Sequence, residues 1–212
     1  MNIRTFRPKY FAFRSLSAIF ERSHPDAPWL TESATRLLEY WIRPSDRGFE
    51  WGSGRSTVWF AQRCAHLTSV EHNEEWHKRV GAMISAAGLT SKVTRHLCAC
   101  TEHSATINSS TPYADVILGI EDDSLDFVLV DGLVRVKCIE RALPKIKPGG
   151  LLILDNSDWF LPNRSLGTFS TEVSARCDYA CDEWRSVGAS LAGWRCMLAT
   201  NRITETRLWV KP

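Results

Sequence analysis

The sequence predicts an α/β chain folded around a doubly wound, mostly parallel sheet, and three observations predict it. Short apolar runs alternate with amphipathic helical stretches along most of the chain, the pattern of a parallel sheet covered on both faces. Three of those runs end in an acid, at Glu71, Asp131 and Asp155. The first run feeds Gly52-Ser53-Gly54 straight into a helical pattern, the form of a strand turning into a helix beside a ligand.

The elements follow in order. Residues 1–28 stand apart as a basic extension, with Arg4, Arg7, Lys9 and Arg14 interleaved with Phe6, Tyr10, Phe13 and Phe20 near helical spacing. Packing of that aromatic face on the chain's own domain is expected, with an anionic membrane surface as the alternative use of residues 1–22. Residues 29–212 form the main domain. Pro25 and Pro28 precede a helix containing Leu37, Leu38, Trp41 and Ile42, which Pro44 closes. Strands are expected near 47–51, 67–71, 92–98, 125–130 and 150–154, and helices near 56–65, 74–88 and 134–143. Gly88 is a C-terminal signal for the second of these helices. Beyond Trp159 the pattern loosens into a polar stretch. The apolar runs 195–200 and 206–210, joined at Asn201-Arg202, suggest a terminal antiparallel hairpin.

Composition narrows the class. With 212 residues, 44% hydrophobic and 24% charged, one globular domain with a sizeable core is expected. No apolar run is long enough to cross a bilayer and no secretory leader is visible, so a cytoplasmic protein is expected. A net charge of +2 gives no reason to expect nucleic acid as a partner. Seven cysteines without a Cys-x-x-Cys pair point to reduced thiols rather than a disulfide framework or a zinc site. The oligomeric state is not legible.

The chemistry lies in the strand ends. Gly52 and Gly54 are suited to positive φ and carry no Cβ, so the turn is expected to bring bare backbone N–H groups up to a ligand. Glu71 lies about twenty residues on, the spacing of an acid that holds a ribose diol. A dinucleotide site wants a third glycine where this chain has Thr57, and a carboxylate at Glu50 would repel a pyrophosphate. The same carboxylate favours the ammonium and sulfonium of S-adenosylmethionine, which is therefore the expected cofactor. Its expected contacts are Glu50, Gly52, Ser53, Gly54, Ser56, Glu71 and Asp131.

The order of segments resembles a class I S-adenosylmethionine-dependent methyltransferase, over roughly residues 30–212. The resemblance implies a Rossmann-like, seven-stranded sheet with an antiparallel last strand. Glu50-Trp51-Gly52-Ser53-Gly54 is similar to that family's first motif, and Glu71 to its ribose acid. Residues 86–94 resemble a passage of the catechol-type O-methyltransferases, which implies adenine contacts at Ala99, Cys100 and Thr101. In those enzymes an Asp after one strand and Asp-Asn after the next hold Mg²⁺, which implies the ligand set Asp131, Asp155 and Asn156. The chain departs from them at Val134, where they carry a catalytic lysine. Two routes stay open: a metal-bound acceptor hydroxyl, or direct proton removal by Asp131 or Asp155. The implied reaction is methyl transfer to an oxygen of a small or medium-sized acceptor. Methylation of a nitrogen and a non-catalytic binding module are the alternatives. His72 and His103 are minor candidates as loop bases, and Trp159 and Phe160 as walls of an acceptor pocket.

Overall fold

The structure is a computed structural model that describes residues 8–99, 111–162 and 178–212. Seven strands form one sheet: β1 Arg47–Trp51, β2 His66–Glu71, β3 Val93–Leu97, β4 Leu125–Val130, β5 Ile146–Leu154, β6 Arg195–Thr200 and β7 Glu205–Val210. Their order is β3-β2-β1-β4-β5-β7-β6. The first five strands pair in parallel, and β7 runs antiparallel to both β5 and β6. This is the doubly wound, Rossmann-like sheet with an antiparallel last strand that the segment order implied.

Among the described residues seven α-helices accompany the sheet: α1 Pro8–Ser23, α2 Glu32–Trp41, α3 Arg55–Arg63, α4 Glu74–Ala86, the single turn α5 Pro112–Asp115, α6 Arg135–Ala142 and α7 Asp182–Ser190. The central strands β1 and β4 bury nearly every residue, and β5 every residue from Gly150 on, because helices cover both of their faces. On one face Phe49, Trp51, Val128, Val130 and Leu152 pack with α6 and Trp184 of α7. On the other, Phe127, Leu129 and Ile153 pack with Leu38 of α2 and Phe60 of α3.

Two elements depart from expectation. The polar stretch after Trp159 contains α7, whose Trp184, Val187 and following Leu191 are buried at helical spacing; their signal was diluted by the acids and serines between them. β5 begins at Ile146 rather than 150, because the chain enters the sheet through Pro148-Gly149-Gly150, where the β4–β5 register shifts. A proline without a donor is tolerated at such an irregularity.

α1 lies against the turn between β6 and β7. Arg202 sits over the Phe13 ring at 4.9 Å, and Asn201 Nδ2 donates to Ser17 Oγ at 3.3 Å. Phe11, Leu16 and Ile19 of the same helix are exposed. Phe6 lies outside the described residues. Among the described residues no helix is long and apolar enough to cross a membrane.

Candidate active site

Parallel pairing sets the ends of β1, β2, β4 and β5 side by side at the carboxyl edge, where an open α/β sheet has its ligand crevice. Trp51 is in register with Val70 and Val130, and Val130 with Leu154. The next residues in each strand, Gly52, Glu71, Asp131 and Asp155, therefore meet at one edge. Within it, two corners differ in construction.

The first corner is the turn after β1. Glu50 points away from the Phe49–Trp51 face and is completely buried. Its carboxylate accepts from Ser56 Oγ at 2.9 Å, Ser69 Oγ at 2.7 Å and Thr57 Oγ1. Burial pushes its pKa up to about 7, against the pull of those three hydroxyls. Gly52 has φ +91°, and a Cβ there would come within 2.8 Å of the Asp131 carbonyl oxygen, so both conformation and proximity require glycine. The expectation for Gly54 is corrected: its φ of 177° is ordinary extended backbone. Nothing lies within 4 Å of where its Cβ would project, which leaves open space in front of the turn.

A second correction concerns the turn's amides, which are engaged within the protein rather than bare. Gly52 N–H donates to Val70 O at 2.9 Å, Ser53 N–H to a Glu71 carboxylate oxygen at 3.1 Å, and Gly54 N–H to Thr57 Oγ1 at 2.9 Å. Glu71 also accepts from the amides of His72 and Asn73, at 2.9 and 2.8 Å. Trp76 Nε1 of α4 donates to Ser53 O at 2.7 Å. The turn thus offers a ligand its shape, its open front and the charge of Glu71, not three free donors.

The second corner joins the ends of β4 and β5. Asp131 N–H donates to Trp51 O at 3.0 Å, and Asp155 N–H to Val130 O at 3.3 Å, so both acids are tied to neighbouring strands. Val134 has φ +42°, an unusual conformation for a β-branched residue, and stands immediately before α6. The next residue, Arg135, lies across the corner. Its Nε donates to Gly132 O at 2.9 Å, Nη1 to Asp155 O, and Nη2 to Asp131 Oδ1 at 3.0 Å and Asn156 Oδ1 at 3.5 Å. Asp155 is buried, and Thr206 Oγ1 of β7 donates to its Oδ1 at 2.6 Å. Asn156 Nδ2 donates to Thr204 Oγ1 at 3.1 Å. Burial raises the pKa of both acids; the guanidinium pulls Asp131 back, whereas the Asp131 charge pushes Asp155 higher, to about 8.

This arrangement does not fit the Mg²⁺ site implied for Asp131, Asp155 and Asn156. The oxygens of Asp131 and Asn156 already share one guanidinium nitrogen, and an Asp155 oxygen is taken by Thr206. A hard cation needs near-octahedral oxygens and retained waters, and here a fixed cation stands among the ligands. Among the described residues no group of three or more His, Cys, Asp or Glu side chains is placed to hold a metal ion.

The remaining sequence candidates divide plainly. His72 lies beside Glu71 with its ring half-buried. Trp159 is 46% exposed, whereas Phe160 stacks on Trp184 at 4.5 Å and belongs to the core. Cys100, Thr101 and His103 lie outside the described residues. Sequence reasoning missed Ser69, Thr57, Thr206 and the bridging role of Arg135. Their signal was weak, since a hydroxyl 7, 19 or 51 residues from its acid looks like any other.

A family model described as a methyltransferase domain matches residues 49–157, just over half of the chain, from the buried part of β1 to the residue after Asn156. The chain belongs to that methyltransferase family. It is a class I S-adenosylmethionine-dependent methyltransferase by family and fold. No curated protein matches it in sequence. Among solved structures, the methyltransferase is similar to the O-methyltransferase TomG of Streptomyces achromogenes, which is involved in tomaymycin synthesis and was solved with S-adenosylmethionine. The TM-score is 0.57 at 18% identity, over 94% of this chain and 90% of that one. An S-adenosylmethionine-dependent methyltransferase from Aquifex aeolicus gives 0.53 at 12% identity, over 94% and 98% of the two chains. An rRNA methylase from Streptococcus thermophilus gives 0.56 at 11%, over 84% and 94%. Acceptors this different on one fold mean that the likeness carries the architecture and not the substrate.

Proposed function

We propose that this methyltransferase moves the methyl group of S-adenosylmethionine to an oxygen of a small or medium-sized acceptor, without a metal ion. The observation that carries the reading is the Asp131–Asp155 pair, joined by Arg135 and set against the turn that follows β1. The cofactor is held across the first corner. Glu71 takes the ribose diol, Gly52, Ser53 and Gly54 give it close approach, and Ser56 and Glu50 support the turn from behind. The buried Glu50 acts on the sulfonium through its field and not by contact.

S-adenosylmethionine held there would supply a methyl carbon open to in-line attack by the acceptor oxygen, the carbon–sulfur electron pair leaving with sulfur. Most of the acceleration comes from holding the oxygen close behind that carbon. The hydroxyl proton passes to the carboxylate pair, with Asp131 as the accepting group because its side chain is 29% exposed while Asp155 is buried. Arg135 keeps the first charge of the pair on Asp131, and Asp155 retains a proton to higher pH.

Formation of S-adenosylhomocysteine with a panel of hydroxylated acceptors tests the reading. Turnover is expected to be indifferent to chelator and to rise as the pH climbs through the ionisation of the pair. Asp131→Asn should reduce turnover at least about 100-fold while the dissociation constant for S-adenosylhomocysteine changes little. Loss of activity on chelation with recovery on added Mg²⁺ would overturn the metal-free route, and a methylated nitrogen in the product would overturn the choice of oxygen.

A further inference from the structure

A cavity of about 600 Å³ lies between α1, the α1–α2 linker and the turn joining β6 to β7. That volume is in the usual range for small-molecule sites. We infer that this cavity takes the acceptor, and that the acceptor is an amphipathic anion with an apolar or aromatic body and an oxyacid head. The inference rests on the methyl-transfer reading for its purpose, but its chemistry comes from the cavity wall.

The cavity touches both corners of the site. Arg55, which lines it, directly follows Gly54, and Thr204, at its other end, binds Asn156. Phe13, Phe20 and Trp29 supply the aromatic surface. Positive charge is in excess on the wall: Arg14, Arg55 and Arg202 line it against the acids Glu21 and Glu32, and Glu32 is paired with Arg36 at 2.8 Å. Arg55 donates to the carbonyls of His24 and Pro25 and lies over the Trp29 ring at 5.9 Å, and Arg202 lies on the Phe13 ring, so neither is paired with an acid among the described residues. The second observation is a single atom. Arg55 Nε is buried and has no acceptor among the described residues, so the guanidinium on this wall keeps a donor to spare. A guanidinium pairs best with the planar or trigonal oxygens of a carboxylate or phosphate.

The test uses fluorescent probes of one shape and two charges on the full chain saturated with S-adenosylhomocysteine. These are 8-anilinonaphthalene-1-sulfonate and its neutral relative N-phenyl-1-naphthylamine. The anion should bind at least about tenfold more tightly, and Arg202→Gln and Arg55→Gln should each remove most of that preference. Arg202 is exposed, so its variant keeps the test valid if the Arg55 variant fails to fold. Hydrogen exchange should slow over residues 13–30 and 200–204 when the anion is bound. Displacement of the dye by benzoate identifies a carboxylate site, and displacement by phenyl phosphate identifies a phosphate site. Equal binding of the two dyes, a preference that survives both substitutions, or displacement by neither compound would overturn the inference. Calorimetry with S-adenosylhomocysteine on the same samples separates the two readings: if it fails to bind, the cofactor assignment falls while the cavity is still judged by the dyes.

Discussion

The two corners of the candidate site solve the same problem in opposite ways. At the first, a fully buried carboxylate, Glu50, is surrounded by three hydroxyls and no cation. At the second, one guanidinium grips the Asp131 carboxylate together with the carbonyl oxygens of Gly132 and Asp155 and the amide oxygen of Asn156. Hydroxyl donors relieve burial only in part, so Glu50 stays near the point of neutralisation. A fixed cation instead keeps one negative charge in place at the edge of the cleft. The first corner is therefore suited to shaping a turn, and the second to receiving a proton.

Removing the cation should produce the largest effect. Arg135→Met leaves the Asp131 carboxylate, two carbonyl oxygens and the Asn156 amide oxygen without their donor, and a loss of roughly 3–5 kcal/mol in stability is expected, read as a shift in the denaturation midpoint. Arg135→Lys should recover little of it, because one ammonium cannot span acceptors on both strand ends. Full stability in either variant would mean that the guanidinium does not join the corners.

A pH titration of stability probes the first corner. Glu50 has its folded pKa raised from 4.5 to about 7, so between those values the unfolded chain holds fewer protons than the folded one. Stability should then fall as pH rises across that window, by about 3 kcal/mol, and level off above it. Glu50→Gln should flatten that part of the curve. If the wild-type and variant curves run parallel, the carboxylate is not the titrating group.

Glu71→Ala should weaken cofactor binding by roughly 1.5–3 kcal/mol in calorimetry, through loss of charge-assisted bonds to the ribose diol. An unchanged dissociation constant would remove Glu71 from the cofactor site and leave it as the acceptor that holds Ser53, His72 and Asn73 in place. The smallest effects distinguish the two glycines. Gly52→Ala combines positive φ with crowding against Asp131 and should cost about 1–3 kcal/mol of stability. Gly54→Ala should change stability by less than about 0.5 kcal/mol yet weaken S-adenosylhomocysteine binding, because its Cβ would enter the space in front of the turn. Equal losses of stability at both positions would contradict that division.

What could be read in the sequence follows from the range of each interaction. The strand ends were legible because buried apolar runs stop abruptly at Gly52, Glu71, Asp131 and Asp155, and parallel pairing then aligns them without further information. α7 was obscured by Asp182, Glu183 and Ser186, which break up a short apolar stripe. The hydroxyls of Ser69 and Thr206 and the span of Arg135 were not legible, because they depend on which strands become neighbours and where a long side chain comes to rest. The misfit of the implied Mg²⁺ ligands was hidden for the same reason. Residue type and order matched the ligand set, while the position of the Arg135 guanidinium among those residues shows only in the fold.

The antiparallel entry of β7 also has a consequence for how the site is assembled in time. Ser69 reaches Glu50 across 19 residues, whereas Thr206 reaches Asp155 across 51. Closing the longer segment carries the greater entropic cost, and contacts distant along the chain form late. The hydrogen bonds behind the turn after β1 should therefore form before those that fix the corner between β4 and β5.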